Sequence, residues 1–203
     1  MLVGIINYGM GNINSVINIL KYLGINYRVS NDFKEINKFS SLILPGVGSF
    51  KKAMINLKEL GLSDEIKEYA TIKKKNVLGI CLGMQLLGKS STEDGLSEGL
   101  GLIRNEVTKF DLKQLRIPHV GFNNITKKTN SFRLLKNCNE KDNFYFVHSY
   151  KMMAENNSEY AICEYGTKFL AAFELQNIFG VQFHPEKSQS SGIKIFQNFF
   201  QIK

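Results

Sequence analysis

The chain has few cysteines and no paired cysteine spacing. Only Cys81, Cys138 and Cys163 occur among 203 residues, an odd count that excludes a disulfide framework and a zinc-ligand pattern and fits a reducing compartment. No metal or other cofactor is expected. No basic leader precedes the first apolar residues, and their run stops at Asn7. Neither a secretory signal nor a membrane span is therefore expected, and a cytoplasmic location is. Linkers, repeats and low-complexity tracts are absent, so residues 1–203 read as one domain. The net charge is +8, yet the lysines are scattered and Lys73-Lys74-Lys75 is the one compact cluster. A nucleic-acid surface needs its basic residues focused or interleaved with stacking aromatics, so no nucleic-acid partner is expected. A hydrophobic share of 43% against 22% charged residues suits a packed soluble globule.

Short apolar runs alternate with helical patterns in the first half. Residues 3–6, 27–29, 42–44 and 77–80 read as strands. Residues 13–23, 50–60 and 62–72 carry apolar side chains at three- and four-residue steps, with Gly61 dividing the last two. That rhythm predicts an α/β fold with a mostly parallel central sheet and helices on both faces. After Gly101 the pattern shifts to short strands at 102–107, 144–150, 160–165, 168–173 and 178–183, which predicts an added antiparallel strand layer. Glu164-Tyr165-Gly166-Thr167 reads as a hairpin turn, and Ile193, Phe196, Phe199 and Phe200 build one face of a closing helix.

Three segments carry chemistry. Gly79-Ile80-Cys81-Leu82-Gly83-Met84-Gln85 sets a cysteine where an apolar run stops and a helical pattern starts, the pattern of a nucleophile elbow. A helix N-terminus there would favour the thiolate, the reactive form, and the flanking glycines suit a tight turn. Taken alone, the stretch also fits a cysteine packed as a small apolar residue. Val181-Gln182-Phe183-His184-Pro185-Glu186 ends a predicted strand with His184 and Glu186 on one side, where the carboxylate can orient the imidazole. A strand-end histidine beside a solvated glutamate would look the same. Leu44-Pro45-Gly46-Val47-Gly48-Ser49-Phe50 offers backbone N–H groups from a side-chain-poor loop. Each donor aimed at an oxyanion is worth about 2.7–4 kcal/mol, although a plain strand-to-helix turn shares this composition. A phosphate loop is a poorer option, because no Gly-Lys-Ser/Thr follows.

Together these motifs resemble the class I glutamine amidotransferases. Asn7-Tyr8-Gly9-Met10-Gly11-Asn12, Ile117-Pro118-His119-Val120-Gly121-Phe122-Asn123, Phe144-Tyr145-Phe146-Val147-His148-Ser149-Tyr150 and Gly180 to Ser188 extend the likeness over nearly the whole chain. Within that family they are similar to the glutaminase subunits of imidazole glycerol phosphate synthase, and Met84 stands where many other amidotransferases have histidine. The resemblance implies a three-layer, flavodoxin-like amidotransferase fold. It implies glutamine as substrate, Cys81 as nucleophile, His184 as acid and base, and Glu186 as its orienter. It assigns Gly46, Val47 and Leu82 to an oxyanion hole and Gly48, Gln85, Ser149 and Tyr150 to glutamine binding.

The resemblance further implies a heterodimer with a (β/α)8-barrel cyclase, which would take up channelled ammonia to make imidazole glycerol phosphate in histidine biosynthesis. Pro118, His119, Phe122, Asn123, Tyr145 and Lys187 are the implied interface residues. It also implies gating, in which the Pro45-Gly46-Val47-Gly48 segment turns a carbonyl toward the nucleophile until the partner binds acceptor. Two departures stand out: Asn7 replaces the family's aspartate, and Phe122 replaces its tryptophan in a chain with no tryptophan at all. Phe122 keeps open a related group that supplies ammonia to synthases of nucleotide sugars or surface-sugar precursors. A cysteine peptidase or γ-glutamyl hydrolase, and a basic interaction domain with an incidental cysteine, are the competing readings.

Overall fold

The computed structural model describes residues 1–154 and 159–202. The first half contains β1 (Val3–Ile6), α1 (Ile13–Tyr22), β2 (Tyr27–Ser30), β3 (Ser41–Gly46), α2 (Phe50–Glu59), α3 (Leu62–Thr71), β4 (Asn76–Cys81) and α4 (Leu82–Leu86). Short strands follow: β5 (Ser90–Ser91), β6 (Ser97–Glu98), β7 (Glu106–Lys109), β8 (His119–Asn124), β9 (Thr126–Lys127), β10 (Asn143–His148) and β11 (Tyr150–Met152). The chain closes with β12 (Glu159–Glu164), β13 (Lys168–Leu175), β14 (Ile178–Val181) and α5 (Gln189–Gln201).

An eight-stranded sheet in the order β2-β1-β3-β4-β14-β13-β12-β9 forms the centre. Strands β2, β1, β3, β4 and β14 run parallel, and β13, β12 and β9 extend the sheet in antiparallel fashion. Side chains alternate across the sheet, so β3 sends Ile43 into one core with Val16 and Leu20 of α1 and Ile195, Phe196 and Phe199 of α5. Leu42 and Leu44 enter the other, with Ala53, Met54 and Leu57 of α2 and Leu62, Ile66 and Tyr69 of α3. Full burial of each large side chain contributes about 1.5–3 kcal/mol, which makes these two clusters the main reason the layers hold. No helix among the described residues is long and apolar enough to cross a membrane.

The late entry of β14 beside β4 positions the site. Val181 lies in register with Ile80, so the residues just beyond each strand emerge together at one sheet edge. Gly180 is required at this junction, because a Cβ there would meet a ring carbon of Phe173 at 2.3 Å.

Several boundaries differ from the sequence reading for identifiable reasons. The strand expected at 102–107 is confined to Glu106–Lys109. Before it, Leu100, Leu102 and Ile103 spend their N–H groups on carbonyls at the end of α4. The strand expected at 144–150 breaks at Ser149, with β10 pairing to β8 and β11 to β7. The antiparallel strands thus divide between the far edge of the main sheet and two smaller sheets.

Candidate active site

Cys81 closes β4 with φ 55° and ψ −110°, a conformation L-residues avoid. Such backbone strain costs about 1–3 kcal/mol and survives only where surrounding packing enforces it. The packing is visible at Gly83, where an added Cβ would lie 1.7 Å from the Leu44 carbonyl oxygen, and at Gly79, where it would lie 2.7 Å from Gly83 O. Gly83 lets the elbow approach β3, and Gly79 lets α4 fold back on β4. Helix α4 spans only Leu82–Leu86, so the helix dipole invoked from sequence has little length to act through.

His184 supplies the stronger electrostatic partner. Its Nδ1 lies 2.7 Å from Glu186 Oε1, and the two side chains are only 3% and 2% exposed. They meet through a 3-10 turn at Pro185–Lys187, not along the extended chain that the sequence suggested. The His184 backbone N–H donates to Tyr145 O, while Ser188 Oγ donates to His184 O and accepts from Tyr145 N–H. The His184 backbone is thereby clamped to β10. Burial opposes a charged ring, but negative charge and hydrogen bonding at Cys81, followed by those of Glu186, outweigh it and push His184 up to about 10. His184 Nε2 makes no hydrogen bond of ordinary geometry among the described residues. A loose sulfur–imidazole contact is usual before substrate draws the groups together.

A cleft of about 540 Å³ opens over the sulfur. Cys81, Leu82, Val47, Gly48, Gln85, Pro118, Ser149 and Tyr150 of the sequence-predicted set all line it. Gly46 is in register with Cys81 across the β3–β4 ladder. Buried Tyr8 donates from its hydroxyl to Pro45 O at 2.7 Å and so fixes the start of the glycine loop. Burial, with the charge at Cys81, raises the Tyr8 pKa and keeps the phenol neutral. Sequence reasoning missed Glu93, which also lines the cleft and accepts from Phe50 N–H at 2.8 Å. Burial raises the Glu93 carboxyl pKa against that hydrogen bond, and Asp94 adds to the rise. In the sequence Glu93 and Asp94 stand together as an acidic pair in a loop, a trace too common to mark a site. Gln85 spends both side-chain N–H bonds on Tyr150 O and Gln182 Oε1; toward a ligand it offers only its carbonyl oxygen.

The family model for glutamine amidotransferase class-I matches residues 4–202. The chain belongs to that family. Among its relatives, imidazole glycerol phosphate synthase subunit HisH of Caldanaerobacter subterraneus subsp. tengcongensis is 47% identical over 203 residues, covering 99% of this chain and 98% of the relative. Subunit HisH 1 of Campylobacter jejuni subsp. jejuni is 43% identical over 202 residues, with 99% and 100% covered. A solved glutamine amidotransferase shares the fold with a TM-score of 0.74 at 17% identity, covering 98% of this chain and 97% of the other.

Strand alternation divides this amidotransferase's expected interface residues between two faces. Phe122 and Tyr145 pack edge to face with ring centroids 5.4 Å apart, and Lys187 Nζ lies 5.6 Å from the Tyr145 ring centroid. Phe122 is 48% exposed and neighbouring Val120 54%, while Pro118 is exposed at the cleft. His119 is a correction: it has no exposed surface and stacks against Phe146 and Tyr165, so it cannot touch a partner. Asn123 is turned to the same inner side and half-buried.

The inner side of the amidotransferase ribbon holds a chain of hydrogen bonds with one possible direction. Tyr150 O can only accept, so His148 carries its proton on Nδ1, 2.8 Å away. His148 Nε2 then accepts from His119 Nδ1 at 3.0 Å, and His119 Nε2 accepts from Asn123 Nδ2 at 2.6 Å. Both rings are neutral. Burial holds His119 down to about 4. It also lowers His148, helped by His119 and His184 and opposed by the bond to Tyr150, to about 3.

Unfolded imidazoles take up protons near pH 6.5, whereas these two do not, so the unfolded state binds more protons below that point. Stability is therefore expected to fall as pH drops from about 6.5 toward 4, by up to about 1.4 kcal/mol per pH unit for each histidine. Urea midpoints measured between about pH 7 and pH 5 test this expectation; a flat profile contradicts the neutral pair.

Proposed function

We propose that this amidotransferase hydrolyses glutamine to glutamate and ammonia and delivers the ammonia to a separate (β/α)8-barrel cyclase, as the cytoplasmic glutaminase subunit of imidazole glycerol phosphate synthase. The observation that carries this reading is the convergence on one cleft of the Cys81 elbow and a glycine loop, with the His184–Glu186 pair acting on the same sulfur. Relatives bearing that subunit's name match the chain end to end.

In this mechanism the Cys81 thiolate attacks the side-chain amide carbonyl. Backbone N–H groups of Leu82 and the Gly46–Val47 segment receive the oxyanion, and His184 protonates the departing ammonia. A γ-glutamyl thioester remains, and His184 next takes a proton from water to release glutamate while Glu186 steadies the ring. Glu93 is suited to the substrate's α-ammonium group, with Gly48, Gln85, Ser149 and Tyr150 around the rest of its polar head. The outer face of the β8–β10 ribbon, with Pro118, Phe122, Tyr145 and Lys187, adjoins the cleft and offers the cyclase a docking surface. Enclosure between the two subunits would keep ammonia from protonation in bulk water.

Glutamate release assayed with and without a cyclase and its formimino-nucleotide acceptor tests the reading. Low turnover alone and strong stimulation in the complete mixture are expected, because glycine on both sides of Val47 makes a gating peptide rotation inexpensive. Vigorous partner-independent turnover would refute the gate, and stimulation by a sugar-modifying synthase in place of the cyclase would reassign the pathway. In the same assay Glu93→Gln is expected to raise KM about tenfold, with kcat retained, by removing a charge-assisted contact.

A further inference from the structure

We propose that Gln182 belongs to the nucleophile's machinery: its side-chain amide donates an N–H to Cys81 Sγ, with Gln85 and the Tyr150 carbonyl fixing which end of the amide faces the sulfur. The proposal deepens the glutaminase reading and rests on Cys81 being the nucleophile.

Gln182 has no exposed surface, so its amide must find its partners inside the protein. Its Nε2 lies 3.7 Å from Cys81 Sγ and its Oε1 lies 2.9 Å from Gln85 Nε2. Which end of a glutamine amide points where follows from its partners, and here one partner settles the whole chain. Tyr150 O can only accept, so the group of Gln85 lying 3.0 Å from it is the NH2. The second hydrogen of that NH2 points at Gln182, which must answer with its oxygen. The Gln182 NH2 is then left on the opposite side, aimed at the sulfur. The reverse orientation would set two NH2 groups against each other and bring a carbonyl oxygen to the sulfur.

The backbone explains why this residue can reach. Gln182 follows β14 directly and its N–H still donates to Ala171 O at 2.8 Å, which holds the residue at the end of the sheet. The chain bends at Gln182 and Phe183 and His184 then bridges to Tyr145, so Gln182 and His184 reach the sulfur from one short segment. Both address Cys81, the histidine as the proton carrier and the glutamine as a fixed dipole. A hydrogen bond made to the charged form of an acid favours that form. The Gln182 N–H strengthens as the sulfur becomes thiolate and weakens again once the sulfur is held in the neutral thioester.

The test uses Gln182→Met in the full chain. Methionine keeps the length and apolar stem of glutamine and removes the N–H. Cys81 alkylation by iodoacetamide is followed across pH by peptide mass spectrometry, which separates it from Cys138 and Cys163. The pH of half-maximal alkylation rate is expected to move upward by about one unit, the scale of a charge-assisted hydrogen bond. Merely structural packing by Gln182 would leave that midpoint in place, so an unchanged midpoint in a variant with native near-ultraviolet circular dichroism overturns the proposal. If Gln182→Met does not fold, Gln182→Glu retains an oxygen for Gln85 while replacing the N–H by a carboxylate. An upward shift is again expected, and its absence overturns the proposal. Wild-type protein separates the two readings. Should Cys81 react no faster than Cys138 and Cys163, the glutaminase reading falls and this assignment with it; selective reaction at Cys81 with an unmoved midpoint removes the assignment alone.

Discussion

Cys81→Ala is expected to abolish glutamine hydrolysis, lowering kcat by about a thousandfold or more, because the thioester route loses its only nucleophile. No other thiol can substitute. Burial pushes Cys138 up to about 11, with Asp142 adding to the rise, and Cys163 up to about 12. Neither residue lines the cleft. Stability should change little, since alanine can occupy the same positive-φ backbone position as the cysteine and the sulfur's hydrogen bonds from Gln182 Nε2 and to Val147 O are long, at 3.7 and 4.0 Å. Paired measurements of glutamate release and urea midpoint check both halves. A variant that kept a tenth of wild-type turnover beside an intact cyclase would show that another group performs the attack.

Gly83→Ala is expected to do the reverse and strike the fold first. Its Cβ would come within 1.7 Å of the Leu44 carbonyl oxygen and 2.8 Å of the carbonyl carbon. Leu44 is paired to Gly79 in the β3–β4 ladder and buried on both sides, so that carbonyl cannot retreat without breaking the centre of the sheet. Overpacking against rigid backbone should cost about 3 kcal/mol or more. The urea midpoint should drop with the slope unchanged, and activity should vanish as the elbow loses its seat under β3. Near-wild-type stability would mean that the elbow can shift as a unit, and that its strain is not enforced from β3.

The parallel half of the fold was legible because fully buried strands leave unbroken apolar runs and amphipathic helices leave three- and four-residue steps. The unbroken apolar run at residues 3–6 marks the strand that forms, and α2 and α3 appear on either side of Gly61, whose φ of 66° makes the turn. The second half was harder. Strand β8 mixes His119, Asn123 and Asn124 with apolar residues, and its pairing with β10 depends on a register that local sequence does not encode. Leu102 and Ile103 looked like the start of a strand because apolar content alone cannot distinguish a strand from a segment packed over a helix end.

The same division applies to the site. Chemistry-bearing residue types at chain turns marked Cys81, His184, Glu186 and the glycine loop, since a nucleophile, a proton carrier and a set of free N–H groups each leave a local trace. Glu93, Tyr8 and Gln182 left none that was specific, because an acid in a loop, a tyrosine after a strand and a glutamine in a strand acquire meaning only from what lies across from them. His119 moved the other way: the family resemblance implied an interface role, and strand alternation turned it inward.

The sequence by itself determined the parallel strand pattern, the sharp turn that lifts Cys81 from the sheet, and the His184–Glu186 pair proposed to serve it. Those properties depend on short-range pattern and on side-chain chemistry. Tertiary structure alone decided that β14 enters beside β4, and with it that Gln182 and His184 reach the same sulfur while Glu93 lines the cleft and Tyr8 anchors the loop at Pro45. The physical reason is that contacts between distant segments arise from sheet order and register, which are settled by the packing of the whole chain and by no stretch of it taken alone.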